Sequence, residues 1–241
     1  GRCFMVDGGG GVTLLHQLKH AGYSWTRMRD IFVTHKHIDH VLGIVWMLRL
    51  FCSAMKSGRL DGEVRVHAHD ELVPLLRLLG EQLLMPDEAA MLGKSVRLVS
   101  VSDGETREII GRRVTFFDIG STKTRQFGFA MDYAPDKRLV CLGDEPFHPV
   151  EEKYVRGCDW LLHEAFCLRS EADIFHPYEK HHSTVADACE LAERMGVKNL
   201  LLYHTEDTHG DRRRDLYLAE GQPLYSGRLF VPEELESLNI D

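Results

Sequence analysis

An α/β fold, with sheets covered by helices, is what the sequence predicts, and three observations predict it. Short apolar runs alternate with helix-period patterns in the first hundred residues and again after residue 160. Between these stretches lies a series of strand-like runs closed by turn residues. No internal repeat and no Pro/Ser-rich linker interrupts the 241 residues, so a single domain spanning 1–241 is expected. With 44% hydrophobic and 27% charged residues the chain has material for a substantial core, and nothing in it suggests disorder.

Cys3–Val6 predicts a strand, followed by the glycine run 8–11 and a helix from Val12 to about His20. Ile31–Thr34 predicts a second strand, ending where a histidine cluster begins. Val41–Met55 is the longest apolar stretch; broken by Arg49, it predicts a buried helix. No run approaches the roughly 20 residues of a membrane span. Val64–Ala68 predicts a strand and Glu71–Leu79 a helix. Val96–Val101, Glu108–Ile110, Val114–Phe117, Gln126–Tyr133 and Arg138–Leu142 form the central strand series, with Ala134-Pro135-Asp136-Lys137 as a turn. Trp160–His163 predicts a strand and Thr184–Met195 a helix capped by Ser183. Leu200–His204 and Leu229–Val231 complete the strands before an acidic tail.

The formal charge of −8 argues against indiscriminate nucleic-acid binding, which needs a basic surface, though a local basic groove stays open. Six scattered cysteines without a CxxC pair read as reduced thiols and favour a cytoplasmic setting. The chain opens at Gly1-Arg2-Cys3 with no initiator Met and no signal-peptide pattern; a cut or renumbered N-terminus is expected.

Chemistry concentrates at Thr34-His35-Lys36-His37-Ile38-Asp39-His40, where four good metal donors fall within six residues after a predicted strand. On an extended backbone His35 and His37 point the same way, and a turn into the next helix brings Asp39 and His40 round beside them. Imidazole with carboxylate suits Zn2+, with Mn2+ or Fe2+ as less selective alternatives. His67 and His69 mimic ligand spacing but read as a strand-to-helix junction. Lys123 and Arg125 read as a surface hairpin with phosphate contact as the rival reading. Arg212–Arg214 reads as a solvated charge run.

The spacing H-x-H-x-D-H resembles the metallo-β-lactamase superfamily, and the resemblance covers nearly the whole chain. It implies a four-layer αβ/βα sandwich, with the two strands that usually come first missing here. Phe4-Met5-Val6-Asp7-Gly8-Gly9 looks like the strand whose Asp braces the metal loop. Leu142-Gly143-Asp144-Glu145 looks like the bridging Asp, and Leu202-Tyr203-His204 like the late ligand His. The implied first metal site takes His35, His37 and Asp144; the second takes Asp39, His40, Asp144 and His204. The family's His between the first cluster and the bridging Asp is absent: the matching stretch Phe117–Thr122 holds Gly120 at the strand end. Asp118 or His148 stand as substitutes.

Leu162-His163-Glu164-Ala165-Phe166 and His181-His182-Ser183-Thr184 resemble the paired signatures of the ribonuclease Z branch. There the Glu orients a His that protonates the leaving oxygen, roles that fall to Glu164 and His182, with Asp39 serving the nucleophile. The rival reading is a capped helix beside an exposed His. The expected function is therefore hydrolysis of a small phosphodiester or RNA by metal-activated water, and the branch implies a homodimer. Alternatives are a lactone or thioester hydrolase, or a metal-binding protein whose catalysis is impaired at Gly120. An iron redox protein of this fold would place a carboxylate where His37 stands. A tRNA-gripping arm is not expected, since only one or two helices fit between Val64–Ala68 and Val96–Val101.

Overall fold

The structure, a computed structural model, describes residues 2–240. It consists of two compact units, the first formed by Gly1–Gly111 with Thr124–Phe127 and the second by Arg112–Lys123 with Gly128–Asp241.

The first unit contains β1 (Cys3–Val6), α1 (Thr13–His20), β2 (Met28–Phe32), α2 (Ile38–Lys56), β3 (Val64–His69), α3 (Leu72–Leu83), α4 (Pro86–Ala89), β4 (Val96–Val101) and β5 (Thr106–Ile109). Its four-stranded sheet has the order β1-β2-β3-β4, and every neighbouring pair is parallel. Parallel strands need crossovers, which the intervening helices supply. Such strands are covered on both faces, so β2 and β3 are almost continuously buried rather than alternating. The core gathers Ile31, Val33, Ile44, Met47, Leu48, Phe51, Val66 and Leu76, all fully buried.

With 19 residues, α2 is long and apolar enough to cross a membrane by length and composition, contrary to the expectation that no run approaches that length. Its buried Val41, Ile44, Met47, Leu48 and Phe51 recur at helical spacing and pack in this core, as a core helix requires. The glycine run meets the helix backbone to backbone. Gly8 N donates to the His40 carbonyl at 2.8 Å and Gly43 N to the Gly9 carbonyl at 3.1 Å. A Cβ on Gly43 would stand 1.7 Å from the Gly8 oxygen, so only glycine permits the approach.

The second unit contains β6 (Arg112–Asp118), β7 (Phe127–Ala134), β8 (Lys137–Cys141), α5 (Glu152–Val155), β9 (Trp160–Glu164), α6 (Ala172–Phe175), α7 (Val185–Met195), β10 (Asn199–Tyr203), α8 (Arg213–Gly221) and β11 (Arg228–Phe230). Its strands run β11-β10-β9-β8-β7-β6. The β7/β8 pair is antiparallel, while β8, β9, β10 and β11 are mutually parallel. Val140, Leu161, Val185, Ala188, Leu200, Leu202 and Tyr217 make its core.

Several sequence expectations need correction. The α7 cap is Thr184, not Ser183: Thr184 Oγ1 accepts the Asp187 amide at 3.3 Å while Asp187 accepts from Thr184 N at 2.9 Å. The Ser183 hydroxyl is already committed to the Glu164 carbonyl at 3.0 Å. Strand β2 starts at Met28 rather than Ile31, because Asp30 enters the core paired with Arg65 and His67. Arg212–Arg214 is not a merely solvated run. Arg213 donates to Thr205 Oγ1 at 3.1 Å and the Pro232 carbonyl at 2.6 Å, and Arg214 pairs with Glu236, so α8 anchors the C-terminal segment.

Candidate metal centre

In the first unit the extended stretch leaving β2 carries Thr34 to His37, and His37 is the N-cap of α2. Asp39 and His40 therefore lie in that helix's first turn. The turn stays closed because His40 N and Val41 N both donate to the His37 carbonyl, at 3.1 and 3.0 Å. The result is the predicted convergence. His35 Nε2 lies 2.8 Å from His37 Nδ1, the His35 and His40 rings are 4.1 Å apart, and His40 Nε2 is 3.5 Å from Asp39 Oδ2.

Asp7 organises the loop as the resemblance implied. Its Oδ1 accepts the Thr34 amide at 2.8 Å; Oδ2 accepts the Thr34 hydroxyl at 2.8 Å and faces His40 Nδ1 at 2.7 Å. A carboxylate on Nδ1 fixes the ring and directs Nε2 outward, the arrangement that supports a metal-ligating histidine. Asp7 itself has φ 56°, a left-handed conformation held in place by those three bonds. His67 is buried within β3 and lies 3.3 Å from Asp30 Oδ1, while His69, the last residue of that strand, sets its ring 5.6 Å from that of Phe127.

In the second unit Asp144 follows β8 and His204 follows β10, both at strand ends as expected. Their side chains meet, His204 Nε2 standing 3.5 Å from Asp144 Oδ2. The Tyr203 hydroxyl donates to the Gly143 carbonyl, joining the two strand ends. His204 is also left-handed, with φ 54°. His182 joins them: donor atoms of Asp144, His182 and His204 all lie within 4.8 Å of one another. Its ring stacks between His204 and Phe166, at centroid distances of 5.2 and 5.1 Å. Glu164 Oε2 stands 3.4 Å from His182 Nδ1, while Oε1 accepts the Ser183 amide at 2.5 Å. Lys123 Nζ lies 3.4 Å from His182 Nε2, which brings one cation of the expected surface hairpin to the signature histidine. Arg125 instead pairs with Asp70 in the first unit.

No histidine fills the Gly120 position. Strand β6 ends at Asp118, and Gly120 has φ 76°, its amide donating to Asp118 Oδ1 at 2.9 Å. Of the expected substitutes, Asp118 accepts that amide through Oδ1, and His148 Nε2 lies 3.4 Å from Glu145 Oε2. Neither belongs to the Asp144–His182–His204 group. The sequence missed His182's placement among potential ligands, because no spacing links residues 144, 182 and 204. Imidazole nitrogens and carboxylate oxygens, oriented by buried partners, make each unit's donor set suited to a divalent cation.

A family model described as the beta-lactamase superfamily domain matches residues 5–205. The chain belongs to the beta-lactamase superfamily, and its fold is the metallo-β-lactamase α/β fold with two sheets. Within that superfamily it is ribonuclease Z-like. Ribonuclease Z of Pyrobaculum calidifontis is 26% identical over 273 residues, an alignment covering 100% of this chain and 88% of that protein. The solved structure of human tRNase Z, short form, matches with a TM-score of 0.72 at 18% identity, covering 100% of this chain and 89% of the other. A diphosphatase from the PhnP family matches with a TM-score of 0.71 at 18% identity, over 97% of this chain and 78% of its own.

Proposed function

We propose that residues 1–241 act as one hydrolase domain, a metal-dependent phosphodiesterase of ribonuclease Z type. The metal loop braced by Asp7 supports this reading, since that carboxylate fixes the Thr34 backbone and hydroxyl and the His40 ring. The proposed ligands are His35, His37, Asp39, His40, Asp144 and His204, holding one or two Zn2+ ions. A bound divalent cation supplies a water of lowered pKa and a Lewis acid for the phosphoryl oxygen. Asp39 accepts a hydrogen bond from the attacking water. His182, oriented by Glu164, delivers a proton to the departing oxygen. Lys123 adds positive charge beside it.

A small phosphodiester suits the chain at least as well as a tRNA precursor. The segment between β3 and β4 is occupied by α3 and α4, both packed against elements of their own unit, with no protruding basic arm. The proposed setting is cytoplasmic, supported by five buried thiols without disulfides, and the proposed assembly is a homodimer.

The test is a panel of bis-p-nitrophenyl phosphate, cyclic nucleotides and precursor tRNA, run beside metal analysis of the same protein. Phosphodiester turnover should disappear in Asp39→Ala and Asp144→Ala while the circular dichroism spectrum stays native. Turnover surviving both substitutions would refute the mechanism. A second reading, metal binding with impaired catalysis, is favoured by Gly120 alone. It predicts tight metal retention with no turnover on any ester.

A further inference from the structure

Glu171, Glu206 and His209 bring a second set of metal-type donors together, none of them used by the hydrolytic reading. Their ligand atoms all lie within 4.8 Å of one another. His209 Nε2 stands 2.9 Å from Glu171 Oε2 and 3.7 Å from Glu206 Oε1.

The two oxygens of Glu206 differ sharply. Oε2 accepts from the Thr208 amide at 2.7 Å and the Thr208 hydroxyl at 2.5 Å. The Glu206 amide donates to the Phe166 carbonyl at 2.7 Å, so backbone and side chain are both fixed. Oε1 is shielded from solvent, in a residue only 8% exposed, and no hydrogen-bond donor among the described residues meets it. It faces the His209 ring instead. A buried carboxylate oxygen left without a donor is costly, and a cation is the partner that two carboxylates and an imidazole would share. The negative potential is felt nearby: the Cys167 thiol is pushed up to about 12, by burial first and then by the charges of Glu171 and Glu206.

We propose that Glu171, Glu206 and His209 bind a divalent cation, Zn2+ being the first choice for one imidazole nitrogen and two carboxylate oxygens, with water completing the shell. The site is structural. It ties the 3-10 turn Arg169–Glu171 to the loop that leaves β10 just past His204. Glu206 and His209 stand three residues apart in that loop, so one cation closes it locally and then clamps it to Glu171.

Zinc-loaded protein, stripped of excess metal, is analysed by inductively coupled plasma mass spectrometry beside His209→Gln, Glu171→Gln and Asp144→Ala. His209→Gln and Glu171→Gln should each lose one equivalent of zinc relative to the parent, with a native circular dichroism spectrum. Asp144→Ala should keep the equivalent they lose, which separates this site from the proposed hydrolytic one. Should His209→Gln fail to fold, the count rests on Glu171→Gln, the more exposed of those two partners. Parental stoichiometry in the folded Gln variants overturns the proposal and leaves only a hydrogen bond between His209 and Glu171.

Discussion

Asp7 accepts three contacts with one carboxylate, and each constrains a different part of the metal loop: an amide, a hydroxyl and an imidazole. Asp7→Asn should lower Zn2+ affinity by about 10- to 100-fold, the usual effect of losing a ligand's supporting carboxylate. Competition against a chromophoric chelator measures it, and unchanged affinity would show that the loop is rigid without that charge. Asp30 sets a different response. Burial alone would raise its pKa, but hydrogen bonds from His67 and Arg65 outweigh burial and hold it below the ordinary value. A carboxylate depressed in the folded state contributes stability above its unfolded pKa of about 3.9 and loses it as pH falls through the lower folded value. Asp30→Asn should therefore destabilise at neutral pH, by up to about 3 kcal/mol, and flatten the acid limb. Urea titrations at pH 7 and at successively lower pH check both. The ligand loop was legible because its donors are neighbours in sequence. The grouping of His182 with Asp144 and His204 was not, since only strand pairing and a side-chain stack bring them together.

Most elements could be read from apolar periodicity, with ends displaced by a few residues. The failures have physical causes. Strand β2 hides its first half behind Arg29 and a buried, paired Asp30. Helix α8 reads as a charge run because its arginines serve as tethers to Thr205, Pro232 and Glu236. Short helices such as α4 and α6, four residues each, carry too few turns for a periodic signal. The cap of α7 fell one residue from its expected place because Ser183 bonds back to β9. Thr184→Ala removes the real cap and should reduce stability by about 1 kcal/mol. Ser183→Ala should leave the helix end intact, and chemical denaturation of the two variants tells them apart.

At the scale of the whole molecule, each unit has its own apolar cluster, so the fold does not depend on metal for a core. Chelation by dipicolinate should abolish phosphodiester turnover while far-ultraviolet circular dichroism is retained. Free Zn2+ at about 100 times its Kd should add about 2.7 kcal/mol to stability, seen as a rise in Tm. Chelated protein that unfolds would place the cation among the folding determinants instead. The approach of Gly8 to Gly43 carries one more consequence. Turn and helix mesh there without any intervening side chain, so one methyl group at position 43 acts as a wedge. Gly43→Ala adds no ligand and removes none. It should nonetheless release zinc faster, because prising the turn from the helix draws Asp7 off the imidazole it steadies.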